Sequence, residues 1–330
     1  MLSASALSSR SLLVFAVTAL AALVTSSSDA AAQQPGRTIT IVVPYVAGTG
    51  PDILARLIGD ELQQRWRQPV IVENKPGASG SIGTGQVARA APDGHTLLLT
   101  ASPFTQTVAL LKALHYDPVK SFAPIIMVAE GFVGLATNPS IPVISANDFI
   151  EYVKARPSQV NYSSAGRGTP QHLAMELFKL ATGIDVKHIP YKGQPAAIQD
   201  VIGGHVSAAF VTIHVGLPLA RDKRIRLLGV ASKERLKVAP DIPTLAEQGI
   251  KNVDLDLWFG MLAPAGTPRE IVARYNSTVN EILRSPPIID KMTTQGLVPV
   301  GGTAERFAEY IPTDLAKWRR VITAAGIAAE

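Results

Sequence analysis

The chain has 330 residues, a length that suggests about two domains at roughly 150 residues each. Hydrophobic residues make up 47% of it and charged residues 17%, below the typical charged share of about 25%, so it is not a disordered chain and can bury a large core. It contains no cysteine, which excludes disulfides, zinc–thiolate sites, iron–sulfur clusters and cysteine nucleophiles, and its net charge of +5 hints at anionic partners without naming one.

At the N-terminus, Arg10 precedes an apolar run from Leu12 to Val24, followed by polar Thr25 to Asp29 and then Ala30-Ala31-Ala32. A basic start, a short apolar stretch and a small-residue cleavage site predict a secretory signal over residues 1–32. The run is shorter than the ~20 residues a spanning helix needs, and no basic cluster flanks its far side. No other run approaches spanning length, so the expected mature chain, from Gln33 onward, is soluble and outside the cytoplasm. Lacking disulfides, it suits a bacterial periplasm better than an animal secretion.

A β-branched run over 38–44 predicts a strand buried on both faces. The loop Ala47-Gly48-Thr49-Gly50 then leads to a helix opening at Pro51, where Ile53, Leu54, Leu57, Ile58 and Leu62 keep the helical period. A strand over 69–73, a helix over 81–90 and a strand over 95–101 follow, separated by Pro/Gly turns. This alternation argues for an open, largely parallel α/β sheet. The pattern resumes with a strand over 133–137, a helix over 146–155 and a strand over 160–165. After Gly166-Arg167-Gly168-Thr169 come a helix over 170–182, a strand over 186–191, a helix over 195–202, and strands over 206–212 and 225–231. Helices over 268–283, 287–295 and 304–325 close the chain, the last expected to kink at Pro312.

Three times a strand ends in a small-residue loop and the next helix opens on proline: Gly50-Pro51, Thr169-Pro170 and Gln194-Pro195. Proline at the first helical position has a preset φ and no N–H to leave unpaired, so these are well-defined helix starts. A helix start presents unpaired N–H groups and about half a positive charge. Gly48, Gly50, Gly166 and Gly168 have no side chain to keep a ligand oxygen away, and Thr49, Ser163, Ser164 and Thr169 add hydroxyls. Such sites suit a carboxylate or phosphate at the carboxyl ends of strands, and two opposed ones would clamp a ligand with two acidic groups. Turn chemistry alone is the competing explanation for any single loop.

Other chemistry finds little support. Gly83-Thr84-Gly85-Gln86-Val87-Ala88 fits G-x-G-x-x-A, but a Pro/Gly loop separates it from the strand and no acidic residue follows at the right distance. No G-x-S-x-G, Walker loop or S-x-x-K occurs, and His95, His115, His172, His188, His205 and His214 show no metal-binding spacing. No cofactor and no metal are therefore expected. His172, on the third helical position after Thr169, either touches a ligand or braces its own helix. Arg221, Lys223, Arg224 and Arg226 surround Asp222 with little aromatic content, which is a solvated loop and not a nucleic-acid surface.

Several long motifs then occur in one order. They are Val43-Pro44-Tyr45 with Ala47-Gly48 and Asp52, Val72 to Ala78, Ala90 to Gly94, Asn161 to Gly166 with Gly168-Thr169 and His172, Pro190 to Gly193, Trp258-Phe259-Gly260, and Ala263 to Pro268. In these the chain resembles the Bug-type, or TctC-like, solute receptors of tripartite tricarboxylate transporters, over nearly all of the expected mature chain. The resemblance implies a two-lobed periplasmic-binding-protein fold of type II, α/β, with two crossovers. Lobe one would comprise 38–134 and 260–330 and lobe two 135–259, the chain crossing near 135–138 and near 255–262. It implies a monomer that closes on a small carboxylate, a di- or tricarboxylate or aromatic acid, and delivers it to a membrane permease. The ligand residues implied are Tyr45, Val46, Ala47, Gly48, Thr49, Gly50 and Asp52 from the first loop and Ser164, Ala165, Gly166, Arg167, Gly168, Thr169 and His172 from the second, with Ser102, Tyr191, Lys192 and Val211.

Three departures matter. Thr49 separates two glycines that are usually adjacent in the family. Arg167 replaces a small or amide residue and is expected to add a charge-assisted contact to a ligand carboxylate. Val211 stands where the family often has an aspartate that meets amino groups, so a ligand without a cationic amine is expected. A sensory partner that presents the same clamp to a membrane kinase is the alternative reading. An enzyme ranks third, because no nucleophile, base pair or metal set is visible.

Overall fold

The computed structural model describes residues 36–109, 114–253 and 255–324, so the expected signal over 1–32 and the end of the last helix lie outside the described residues. The chain opens with β1 (Ile39–Val43), whose Ile39, Ile41, Val42 and Val43 are fully buried, as a run of β-branched residues between two layers must be. Helix α1 (Gly50–Trp66) turns its Leu54, Ala55, Ile58 and Leu62 face onto this strand and ends at left-handed Arg67. Strand β2 (Val70–Asn74), helix α2 (Ser81–Ala88), strand β3 (Thr96–Ala101) and the single turn α3 (Pro103–Gln106) follow. Strands β2 and β3 both pair in parallel with β1.

The 16-residue β4 (Phe122–Thr137) organises the rest. After it come α4 (Ala146–Lys154), β5 (Asn161–Ser164), α5 (Pro170–Thr182), β6 (Lys187–Pro190), α6 (Gln194–Ile202), β7 (Ala208–Thr212), α7 (Ile213–Arg221), β8 (Arg226–Val230) and β9 (Asp256–Pro264). The chain ends in α8 (Arg269–Arg284), α9 (Pro286–Thr294), β10 (Val298–Pro299) and α10 (Ala304–Ala324). From Phe122 to Phe132, β4 pairs with β9, completing a first sheet in the order β2-β1-β3-β9-β4-β10. From Val133 to Thr137 it pairs with β7 on one side and β8 on the other, and the second sheet runs β8-β4-β7-β5-β6. The returning chain crosses beside it, since the Leu255 amide bonds to Ala231 O at 3.2 Å and Asp256 pairs with Phe132.

Several of these elements differ from the sequence expectation: the sequence pattern does not predict α3, β9 or β10, and the pairings of β4 with β7, β8, β9 and β10 and of β3 with β9 are antiparallel where a largely parallel sheet is predicted. The first half of β4 carries Pro124 and Gly131, which depress a strand signal. The structure tolerates the proline through a register shift between Pro124 and Ile126. Helix α7 follows β7 with no loop, and its Gly216 and Pro218 hide the helical pattern. Helix α10 continues past Pro312 and buries Phe307, Ile311, Asp314, Leu315, Trp318 and Ile322 at helical spacing. Its Asp314 carboxylate accepts hydrogen bonds from Thr105 Oγ1 (2.5 Å), Trp258 Nε1 (2.9 Å) and Trp318 Nε1 (3.0 Å), joining α3, β9 and α10.

Candidate functional site

Strand β1 ends at Val43, and the next six residues carry the chain to the start of α1. Gly48 takes a positive φ of 79°, and its amide bonds to Asp52 Oδ2 at 2.9 Å, while Thr49 Oγ1 donates to Val46 O at 2.8 Å. Asp52 also accepts from Arg56 Nη2 and Nε (2.9 and 3.2 Å) and from Asn74 Nδ2 (3.0 Å). Burial alone would raise its carboxyl; the bonds from Arg56, the Gly48 amide and Asn74 outweigh that and hold it below the usual carboxylate range. The amides of Thr49 and Gly50 have no acceptor among the described residues, as expected in a first helical turn.

The loop between β5 and α5 repeats this construction. Gly168, at φ 70°, donates its amide to His172 Nδ1 at 3.1 Å, and Thr169 Oγ1 donates to Gly166 O at 2.6 Å. His172 stacks on His188 with ring centroids 4.3 Å apart, and His188 stacks on Tyr162 at 4.7 Å. His188 Nε2 is 2.7 Å from Ser164 Oγ, which in turn accepts from the Gly166 amide at 3.1 Å. Burial is the main cause lowering the pKa of both imidazoles, with Arg167 and Lys179 adding to it, and His188 falls to about 3. Both rings are thus neutral at physiological pH, and His172 can serve as an acceptor.

The two loops line one cavity of about 960 Å³. It brings together Tyr45, Val46, Ala47, Gly48, Thr49, Gly50, Ser102, Ala165, Gly166, Thr169, Tyr191 and Lys192 from the sequence expectation. Contacts cross it: Ser79 Oγ donates to Arg167 O at 3.3 Å, and an added methyl group on Gly193 would stand 3.5 Å from Val46 Cγ2. Gly50 has no room for a side chain, because a Cβ there would lie 2.8 Å from Phe259 Cε1 and 3.0 Å from His214 Cε1. Ser102 lines the cavity, but its hydroxyl accepts from the Trp258 amide at 2.9 Å and so braces β9.

Six expected residues stand off the cavity wall. Asp52, Ser164 and His172 pin the loops from behind, Gly168 faces His172, and Arg167 is exposed outside the lining. Val211, expected at the site, lies one residue before the strand position that lines the cavity. Strand side chains alternate, so Val211 packs into the apolar core against Gly216 while Thr212 faces the cavity. The loop Pro76 to Gly80, Gln171, Gln194, His214 and Phe259 also line the cavity and are not among the expected residues. The period of β7 and the Gln194-Pro195 helix start carried the signal for two of these positions, Thr212 and Gln194.

A cavity at the carboxyl ends of parallel strands, walled by two sheets that share β4, is the arrangement of the two-lobed binding-protein fold class. The model for the tripartite tricarboxylate transporter family receptor, TctC, matches residues 54–327, and the chain belongs to that family. It is 34% identical over 294 residues to protein BugT of Bordetella pertussis, covering 88% of this chain and 90% of that protein. Its fold is similar to that of R. palustris Rpa4515 with adipate, with a TM-score of 0.87, 34% identity, and coverage of 90% of this chain and 99% of that one. It is also similar to MatC (Rpa3494) from Rhodopseudomonas palustris with bound malate, with a TM-score of 0.82, 31% identity, and coverage of 88% and 100%.

Proposed function

We propose that this chain is an exported, non-catalytic receptor that captures a small carboxylate in the cavity between its lobes and delivers it to the membrane permease of a tripartite transporter. The observation that carries this reading is the pair of matching helix starts, Gly48 to Gly50 and Gly168 to Pro170, pinned in the same way beside one cavity. Such starts favour anions, and the bound adipate and malate of the two similar structures are both dicarboxylates. The ligand contacts come from the expected residues that line the cavity, among them Tyr45, Thr49, Gly50, Gly166, Thr169 and Tyr191. Asp52, Ser164, Gly168 and His172 hold those contacts in place.

The same reading divides the chain into lobe one, 38–134 with 260–330, and lobe two, 135–259. The change of strand partner along β4 supports this division. Hinge closure at the two crossing strands then seals the acid inside. The test is a thermal-shift screen of the mature chain against mono-, di-, tricarboxylic and aromatic acids, with sugars and cationic amines as controls. An acid at a hundred times its Kd should stabilise the fold by about 2.7 kcal/mol. A shift from sugars or amines and none from acids overturns the reading.

A further inference from the structure

The cavity wall formed by α5, α6 and α7 changes character along these helices. At their starts it is a chain of polar side chains. Gln171 Nε2 donates to Gln194 Oε1 at 2.7 Å, and Gln194 meets Thr212 Oγ1 through both Nε2 (2.9 Å) and Oε1 (3.0 Å). Thr212 Oγ1 lies 3.3 Å from His214 Nε2. The chain stands beside the α1 start, since a Cβ on Gly50 would lie 3.0 Å from His214 Cε1.

Further along α6 and α7 the wall is apolar. Ile198, Val215 and Leu219 line the same cavity with Tyr191, and the four pack in one hydrophobic cluster. Val46, from the loop before α1, comes close to this wall, 3.5 Å from where a Cβ on Gly193 would stand. The Tyr191 hydroxyl donates to Asp200 Oδ2, so this residue adds no free donor. Lys192 is the one side chain of fixed charge among the described lining residues, and it is exposed, as is Gln199. Five residues of α7 separate His214 from Leu219, about 7.5 Å of helix at roughly 1.5 Å per residue. That is close to the length of a six-carbon chain, or of a benzene ring with one substituent carbon.

We propose that the acid this cavity takes is amphiphilic: a carboxylate at the α1 start and a hydrocarbon body, ring or chain, lying along Val215 and Leu219. The inference rests on the carboxylate reading above and narrows its substrate class. A hydroxyl or further carboxylate carried on that body would lose its water against side chains that offer it no hydrogen bond. A hydrocarbon body instead gains by leaving water for the same wall. Hydroxylated and tricarboxylic acids such as malate and citrate are therefore the poorer ligands.

Calorimetric titration with phenylacetate, hexanoate, malate and citrate tests this, the first two separating a ring from a chain. The better of phenylacetate and hexanoate should bind at least about tenfold more tightly than malate or citrate. Leu219→Asn should weaken that acid about tenfold and so remove its lead over malate. Val215→Thr, which keeps the shape of the side chain, should weaken it about threefold. Malate or citrate matching or exceeding both apolar acids overturns this inference and leaves the carboxylate reading standing. Unchanged affinity of the better acid in Leu219→Asn does the same, and should that variant fail to fold, unchanged affinity in Val215→Thr decides against it. A wild type that binds none of the four acids overturns the carboxylate reading and this inference with it.

Discussion

The loops before α1 and α5 solve one structural problem with different chemistry. In each, a glycine at positive φ donates its amide to a side chain four residues on, and a threonine hydroxyl ties back to a carbonyl three residues earlier. The acceptor is a carboxylate, Asp52, before α1 and a neutral imidazole, His172, before α5. Asp52 brings a negative charge to the back of an anion-favouring loop, and Arg56 and Asn74 offset it. His172 brings no charge and is held by stacking on His188. A binding loop thus needs an acceptor at that position, while the acceptor's identity decides what must surround it and how acid weakens it.

The largest expected break in this pairing comes from Asp52→Ala. It leaves the Gly48 amide without its acceptor and removes the carboxylate partner of Arg56 and Asn74, and should cost about 3 kcal/mol in urea unfolding together with most acid affinity. His172→Ala strips one amide and one stacking partner, and about 2 kcal/mol is expected from the same measurement. Equal costs at both sites would mean that the charge on Asp52 plays no part.

Acid sharpens the contrast. An unfolded histidine takes up a proton near pH 6.5, whereas folded His188 resists until about pH 3, so protons bind the unfolded chain preferentially between these values. Stability from this group is full above pH 6.5 and drains as pH falls toward 3. Asp52, held below its ordinary value, adds its own loss only as pH falls through the carboxylate range. Melting temperature should therefore decline from pH 7 to pH 5, and His188→Phe should flatten that decline. The smallest effect is expected from Thr49→Val and Thr169→Val, each removing one hydroxyl tie for about 1 kcal/mol. Matched losses would confirm that the two loops share one construction.

Much of this frame was legible in the sequence. The buried strand at 39–43, the proline-opened helices and the two glycine loops follow from local rules, and those loops do line one cavity. Local rules do not say which side of a loop faces inward. Asp52 and His172 looked like ligand groups because they follow the helix starts, yet the third residue of each helix turns back to accept from the loop amide before its own cap. Val211 failed by one step of a two-residue period. The chain from Gln171 to His214 was invisible because its members, up to 43 positions apart in sequence (from 171 to 214), meet only when three strands of the second sheet align their carboxyl ends.

If the unpaired amides at the two helix starts hold the acid, their resonances must respond when it binds. On titration with the acid that best stabilises the fold, the amide protons of Thr49, Gly50, Gln171 and His172 should move downfield together, with a shared binding curve. Saturation by that acid with these four resonances unmoved, while side chains elsewhere respond, would contradict the account.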